Sequence, residues 1–298
     1  MLDISKTKGR FQEKELAGEF SNYISLNGVE VQYEFVEGKS KDTLVVLLHG
    51  FGASSFSYRK VMQDLSVYGE VVSYDRPCFG LTVRPKSWIG ENPYTFPAQV
   101  KLLDAVINHF GPSKKVILVG HSAGAGIASE WTLDNQDRVK ALVLEEPAIL
   151  SAPPINKTVG KLLKSKLFDH LGPRLVAGFS KTGMKILYNS WHDRAGITEE
   201  VLENYTRPLQ VVGWEAAFWE FSRHGVQSRI QNHLGELRVP VLVFVADDDR
   251  IIPPESSKKV ASLIPGSTLI EIKNCGHIPH EEKPKEFLEN LHKFIDQQ

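Results

Sequence analysis

The sequence predicts an α/β protein: a mostly parallel central sheet, helices on both of its faces, and an inserted helical cap. Three observations carry this prediction. Runs of mainly aliphatic and β-branched residues at 44–48, 71–74, 116–119, 139–144 and 239–246 are near-continuously apolar, interrupted by Ser73 and Lys140, as strands buried on both faces are. Stretches with helical spacing alternate with them, such as Val100, Leu103, Val106, Ile107 and Phe110. Strand–helix alternation of this kind builds a parallel sheet with helices against both faces. From about Ala148 to Gly235 the rhythm changes, and helical pieces rich in large side chains replace the strand runs. The expected division is therefore a core of residues 1–147 and 235–298, with residues 148–234 set over one end of the sheet.

Taken in order, a charged leader precedes two alternating segments that flank Asn27-Gly28, a strong hairpin signal. The strand at 44–48 runs straight into His49-Gly50-Phe51-Gly52, and a helix is expected from about Ser55, capped by its hydroxyl. The next strand, 71–74, ends in DRPCFGLT, and an amphipathic helix is expected over 95–110. Residues 115–126, KVILVGHSAGAG, read as buried strand, tight turn and helix, with Ser122 at the apex between Gly120 and Gly124. A Cβ at either glycine would collide with a neighbouring strand or helix, which explains a G-x-S-x-G turn here. The strand from Val139 ends at Glu145-Glu146-Pro147. Within the insertion, breaks are expected at Pro153-Pro154, Gly172-Pro173, Gly183 and Pro208. Beyond it, the strand at 239–246 ends in Asp247-Asp248-Asp249. A helix from about Glu255, a strand around 267–273, the turn Asn274-Cys275-Gly276-His277 and a helix from about Pro284 complete the chain.

Composition narrows the function classes. At 298 residues, 42% hydrophobic and 24% charged, the chain has room for one large α/β domain with an insertion. A formal net charge of -1 leaves no electrostatic footprint for nucleic acid or an anionic membrane. Two cysteines, Cys78 and Cys275, are too few for a disulfide framework and form no zinc-type pair. The leader lacks the apolar core of a signal peptide and no apolar run is long enough to span a bilayer, so a cytoplasmic location is expected. The sequence leaves oligomeric state open.

Ligands of open α/β sheets bind outside the carboxyl ends of the strands, which directs attention to His49, Asp75, Ser122, Glu145, Glu146, the 247–249 aspartates and His277. A serine hydroxyl is a poor nucleophile unless a base stands within reach and a carboxylate orients that base. The order Ser122, an aspartate of 247–249, then His277 supplies such a set. His121 beside the serine reads as loop support. His277 and His280 lack the i, i+4 spacing of a zinc protease, so no metal site is expected. The G-x-G of HGFGASS lacks the third glycine of a dinucleotide loop, and no cofactor is expected.

HGFG at 49–52, DRPCFG at 75–80, GHSAG at 120–124, DDDRIIP at 247–253 and CGHIPHEEKP at 275–284 together resemble the α/β-hydrolase fold superfamily, in its capped, esterase-like serine-hydrolase branch. The motifs occur in that family's order and span most of the core. The resemblance implies Ser122 as nucleophile, His277 as base and Asp249 as acid, with Asp248 the neighbour to distinguish from it. Some relatives take the acid from the strand after the elbow, which here would be Glu145 or Glu146. It also implies an oxyanion hole formed by the main-chain N–H groups of Ala123 and, from the HGFG loop, Phe51. His49, Gly50, Trp191, Trp214, Phe218 and Trp219 are candidate substrate contacts, although each large cap residue also reads as cap core. Two departures stand out: Cys78 where the family often has a small residue, and Ile278 where many relatives carry Trp. A serine elbow, rather than an aspartate one, sets aside epoxide and halide chemistry and points to acyl transfer on a small or medium ester. The alternatives are carbon–carbon bond hydrolysis or peracid formation with the same triad, and a small-molecule receptor with little turnover.

Overall fold

The computed structural model describes residues 9–19, 21–150, 166–177, 180–224 and 228–298. A short helix, α1 (Glu13–Ala17), leads into the first hairpin. Asn27 and Gly28 both take positive φ, 50° and 78°, and this turn folds β1 (Asn22–Leu26) back antiparallel on β2 (Val29–Val36). Then come β3 (Thr43–Leu48), a 3₁₀ turn at Ser55–Lys60, α2 (Met62–Leu65), β4 (Glu70–Tyr74) and α3 (Phe96–Phe110), whose N-terminus Thr95 caps. The chain continues through β5 (Lys115–His121), α4 (Ala123–Asp134) and β6 (Val139–Glu145). Helices α5 (Lys166–Ala177), α6 (Ser180–Ser190), α7 (Glu199–Thr206) and α8 (Trp214–His224) separate β6 from β7 (Val241–Ala246). Last are α9 (Pro254–Leu263), β8 (Thr268–Ile272), α10 (Pro279–Glu282) and α11 (Pro284–Ile295).

The sheet is eight-stranded, in the order β1-β2-β4-β3-β5-β6-β7-β8. β2 is antiparallel to both β1 and β4, and the other pairings are parallel. Side chains alternate between two cores, as the two-residue period of a strand requires. Leu44, Val46, Val116 and Leu118 meet α3 and α4 through Leu103, Val106 and Ala128. Val45, Leu47, Ile117 and Val119 meet Tyr58, Met62, Phe287 and Leu291 on the opposite face. Each such side chain, fully buried, contributes roughly 1.5–3 kcal/mol. Both faces are needed, which is why the strand runs show no polar alternation.

The chain leaves β3 toward β4 on one side and returns to β5 on the other, so the winding reverses between β3 and β5. Their register pairs Leu48 with Gly120. The loops that follow these two strands therefore emerge side by side, at the position where open α/β sheets hold ligands.

Three local expectations need correction. The Ser55 hydroxyl does not cap a helix; it donates to Gln32 Oε1 at 3.2 Å, and the Ser55 N–H goes to Asp75 Oδ1 at 2.7 Å. Gly172-Pro173 lies inside α5 and Gly183 inside α6, so neither breaks its helix. Gly172 is a notch instead: a Cβ there would stand 2.1 Å from Cε2 of Trp219. Pro153-Pro154, with the rest of 151–165, and residues 178–179 and 225–227 of the expected insertion lie outside the described residues. Among the described residues no helix is long and apolar enough to cross a membrane.

Candidate active site

β5 ends at His121 and α4 begins at Ala123, leaving Ser122 alone to make the turn at φ 52°, ψ −114°. A backbone geometry this rare for a side-chain-bearing residue costs about 1–3 kcal/mol and persists only when its surroundings hold it. Here the Ser122 N–H donates to the Glu145 carbonyl at 2.8 Å, and its own carbonyl accepts from Ala125 and Ala148, each at 3.1 Å. The flanking glycines are needed for room: a Cβ on Gly120 would lie 2.7 Å from Ala125 Cα, and one on Gly124 would lie 2.3 Å from the Leu48 carbonyl oxygen. Gly50 passes just as close, since a Cβ there would stand 3.1 Å from Ser122 Cβ.

His277 Nδ1 and Asp249 Oδ2 are 2.7 Å apart, with the two side chains only 7% and 0% exposed. Asp249 Oδ1 accepts the N–H groups of Ile251 and Ile252 at 2.7 and 3.0 Å, which fixes the carboxylate as an acceptor. With Nδ1–H donated to Asp249, His277 keeps Nε2 as its basic nitrogen. Asp248 points elsewhere and pairs with His192 Nδ1 at 2.8 Å and with Arg250. Glu145 binds His280 Nδ1 at 2.6 Å, both side chains fully buried. Glu146 accepts from Ala246 N at 2.6 Å; burial, then the Asp249 carboxylate beside it, push its carboxyl well above the usual range. Neither glutamate meets His277.

Residues 43–284 match the family model described as the alpha/beta hydrolase fold. The chain belongs to the α/β-hydrolase fold family. Among its relatives, "Uncharacterized hydrolase YugF" of Bacillus subtilis (strain 168) is 29% identical, covering 91% of this chain and 96% of that one. Proline iminopeptidase PfmaB of Pestalotiopsis fici is 28% identical over 88% of this chain and 94% of its own. A 2-hydroxy-6-oxo-6-(2'-aminophenyl)hexa-2,4-dienoic acid hydrolase of Metapseudomonas resinovorans is 26% identical over 96% and 94%. In fold, the chain is similar to a thermophilic esterase from Thermogutta terrifontis, with a TM-score of 0.72, 19% identity, and coverage of 94% of this chain and 99% of that one.

In this α/β-hydrolase chain, the loop that carries His277 is fastened to the helical segment. The His277 N–H donates to the Ser190 carbonyl at 2.7 Å. Gly276 lies so close beneath that a Cβ would be 2.4 Å from the same oxygen. Glu282 completes the fastening, accepting from Gly276 N at 2.7 Å, His192 N at 3.1 Å and Asp193 N at 2.7 Å. His121 Nε2 donates to the His277 carbonyl at 2.7 Å; burial first, then the neighbouring His277, holds His121 well below the ordinary histidine range and so neutral.

The loop after β3 supplies the other side of the site. Among the described residues, the main-chain N–H groups of Phe51 and Ala123 have no acceptor. His49 is fully buried, with Nδ1 on the Gly50 carbonyl at 2.7 Å and Nε2 accepting from Arg76 N at 3.0 Å. Both nitrogens are committed to main chain, so His49 shapes the loop and has no polar atom left for a substrate. Of the large cap candidates, Trp191, Trp214 and Trp219 are buried at 2%, 5% and 8% exposure. Phe218 is half-buried and stands 5.3 Å from the Phe51 ring, which also meets Phe79 at 5.5 Å. Phe51 and Phe218 thus form an apolar wall beside Gly50. Cys78 takes φ 83°, a conformation natural to glycine, and packs with Phe79, Tyr94 and Ala217. Burial pushes its thiol up to about 12, so it stays protonated and inert.

The sequence did not single out Arg76, Gln99 or Glu282. Glu282 was visible within CGHIPHEEKP without a role, and Arg76 within DRPCFG; Gln99 carried no signal.

Proposed function

We propose that this chain is a serine hydrolase that cleaves carboxylic esters of small to medium size through an acyl-enzyme on Ser122. The observation that carries the reading is the buried His277–Asp249 hydrogen bond of 2.7 Å, its carboxylate fixed by two further N–H groups, in a chain whose elbow holds Ser122 in a strained turn. In this reading Ser122 Oγ attacks the ester carbonyl while its proton passes to His277 Nε2. Asp249 holds the tautomer and stabilises the imidazolium. The displaced carbonyl electron pair collects on oxygen, where the N–H groups of Phe51 and Ala123 stabilise it, an effect worth several kcal/mol. His277 then protonates the leaving alcohol, and water attacks the acyl-enzyme by the same route. Every group used is a side chain or main-chain N–H, and no cofactor enters. Residues 148–234 act as a cap that shapes the acyl pocket on a small-molecule substrate in the cytoplasm.

An ester is favoured over an amine-recognising peptidase by the wall of Phe51, Phe79 and Phe218, which offers no charge to an amino terminus. The likeness to the Metapseudomonas resinovorans hydrolase supports carbon–carbon cleavage as the second reading. A fluorophosphonate should label Ser122 in the folded protein and leave Ser122→Ala unlabelled; an unlabelled wild type would overturn the hydrolase reading. Rates on p-nitrophenyl esters, proline aryl amides and a dienone should then rank the esters first. Asp249→Asn should lower kcat on the order of 10⁴-fold, whereas Asp248→Asn should stay within a few-fold. The reverse pattern would move the acid to Asp248.

A further inference from the structure

Arg76 is 1% exposed and, among the described residues, has no carboxylate partner. Among the described residues its guanidinium meets only neutral groups: Nη1 donates to Gln99 Oε1 at 2.7 Å, Nη2 to the Gly50 carbonyl at 3.0 Å, and the plane lies 4.9 Å from the Phe79 ring. Nε has no partner among the described residues. A buried cation without a counter-ion is costly, and folds retain one only where something offsets the cost. Burial lowers its pKa to about 10, so it remains charged at neutral pH. The preceding residue, Asp75, offers no relief, because its carboxylate accepts from Ser55 N at 2.7 Å and Leu81 N at 2.6 Å.

The place where Arg76 is anchored gives the charge its meaning. The Gly50 carbonyl and the Phe51 N–H are opposite ends of one planar trans peptide, so whatever grips the oxygen also aims the hydrogen. Two donors grip that oxygen, Arg76 Nη2 at 3.0 Å and His49 Nδ1 at 2.7 Å. The Arg76 main chain closes the ring by donating to His49 Nε2 at 3.0 Å. Both donors withdraw electron density from the carbonyl and make the N–H at the far end a stronger donor, as hydrogen bonds in a chain polarise one another.

We propose that Arg76 is a positioning residue of the oxyanion site: it aims and polarises the Phe51 N–H, and the oxyanion of the tetrahedral intermediate becomes the counter-ion its buried charge otherwise lacks. The proposal rests on the acyl-transfer reading. In the step concerned, the Ser122 Oγ–carbon bond forms, the carbonyl π pair moves onto oxygen, and the hydroxyl proton goes to His277. Negative charge develops only then, so Arg76 favours the transition state over the bound ester.

Gln99→Glu is the sharpest test. Gln99 is buried and already accepts from Arg76, so a carboxylate there gives the guanidinium a counter-ion while leaving its grip on Gly50 in place. With p-nitrophenyl butyrate, kcat should fall about 10- to 100-fold with KM within about twofold, and affinity for a trifluoromethyl ketone, which forms a stable oxyanion on the serine, should fall by the same factor. Thermal stability should hold or rise, since a buried charge gains its partner. Arg76→Met should show the same loss of kcat and of ketone affinity, and Arg76→Lys should recover part of both. A purely structural Arg76 predicts instead that Gln99→Glu keeps wild-type kcat and ketone affinity, and that result overturns the assignment. Fluorophosphonate labelling of wild-type Ser122 separates the two levels. A wild type that labels while Gln99→Glu matches it in every rate removes Arg76 alone; a wild type that does not label removes the acyl-transfer reading and the oxyanion role with it.

Discussion

Asp75 shows how one buried carboxyl ties loops together and what that does to stability. Its two oxygens hold the N–H groups of Ser55 and Leu81, and Gly80 packs so tightly against it that a Cβ would be 1.9 Å from Oδ2. Burial raises its pKa to about 6 from 3.8. A carboxyl whose pKa is raised on folding keeps its proton in the folded state where the unfolded chain has lost it. Its contribution to stability is therefore greatest near pH 4 and falls as pH rises to about 6, by roughly 3 kcal/mol in all. Asp75→Asn should remove that dependence. The wild type should lose stability relative to the variant between pH 4 and 6 in urea titrations, and a constant difference would show that Asp75 does not titrate there. At this scale the sequence was legible in part. Ser122 and His277 stand out because a turn between a strand and a helix, and a Gly-His turn, are local patterns. Three consecutive aspartates look alike, however, and only the bend that presents two N–H groups to Asp249 and turns Asp248 toward His192 separates them. Arg76 was illegible for a related reason: a charged residue in a loop reads as solvated, and the partner that buries it, Gln99, lies 23 residues further on.

At the scale of elements, α5 and α8 belong together through Gly172 and the Trp219 indole. Local propensity read Gly172-Pro173 as a break, but packing against Trp219 overrides a weak preference of this kind. The strands and the hairpin were legible because burial on two faces and an Asn-Gly turn leave strong marks, whereas the insertion has no repeating period to read. Gly172→Ala should force the two helices apart and cost about 1–3 kcal/mol, measurable as a lower midpoint of chemical unfolding. Phe218, on the same α8, packs against the cluster of Val176, Trp214 and Trp219 and also meets the Phe51 ring at 5.3 Å. Phe218→Ala should accordingly raise KM for an ester with an aromatic acyl group several-fold while leaving an acetyl ester within about twofold. Equal effects on both esters would take Phe218 out of the acyl pocket.

Across the whole molecule, buried titratable groups pull stability in opposite directions as acid is added. His49 and His121 are held well below their ordinary range, His49 by burial and then by Arg76, His121 by burial and then by His277. Both remain neutral when folded, while the unfolded chain protonates them below about pH 6.5. Each therefore withdraws up to about 1.4 kcal/mol per pH unit as the solution is acidified through that range. The buried carboxyls of Asp75 and Glu146, both raised by burial, gain over the same interval what the two rings lose, so stability should change little between pH 6.5 and 5. A urea midpoint that drops steeply over that interval would mean that the two carboxyls do not keep their protons in the folded protein.

The fastening of Ser190 to His277 has a consequence for how such a protein could be altered. The carbonyl that ends α6 and the amide of His277 share one hydrogen bond, and Glu282 clasps the strands of chain on either side of it. On the proposed reading, the segment that would select what enters is thus moored to the residue that would move the proton. If His277 is the base, remodelling α6 to admit a new substrate would tug on it, and a broadened pocket would come with a slower reaction unless the mooring at Ser190 were left intact.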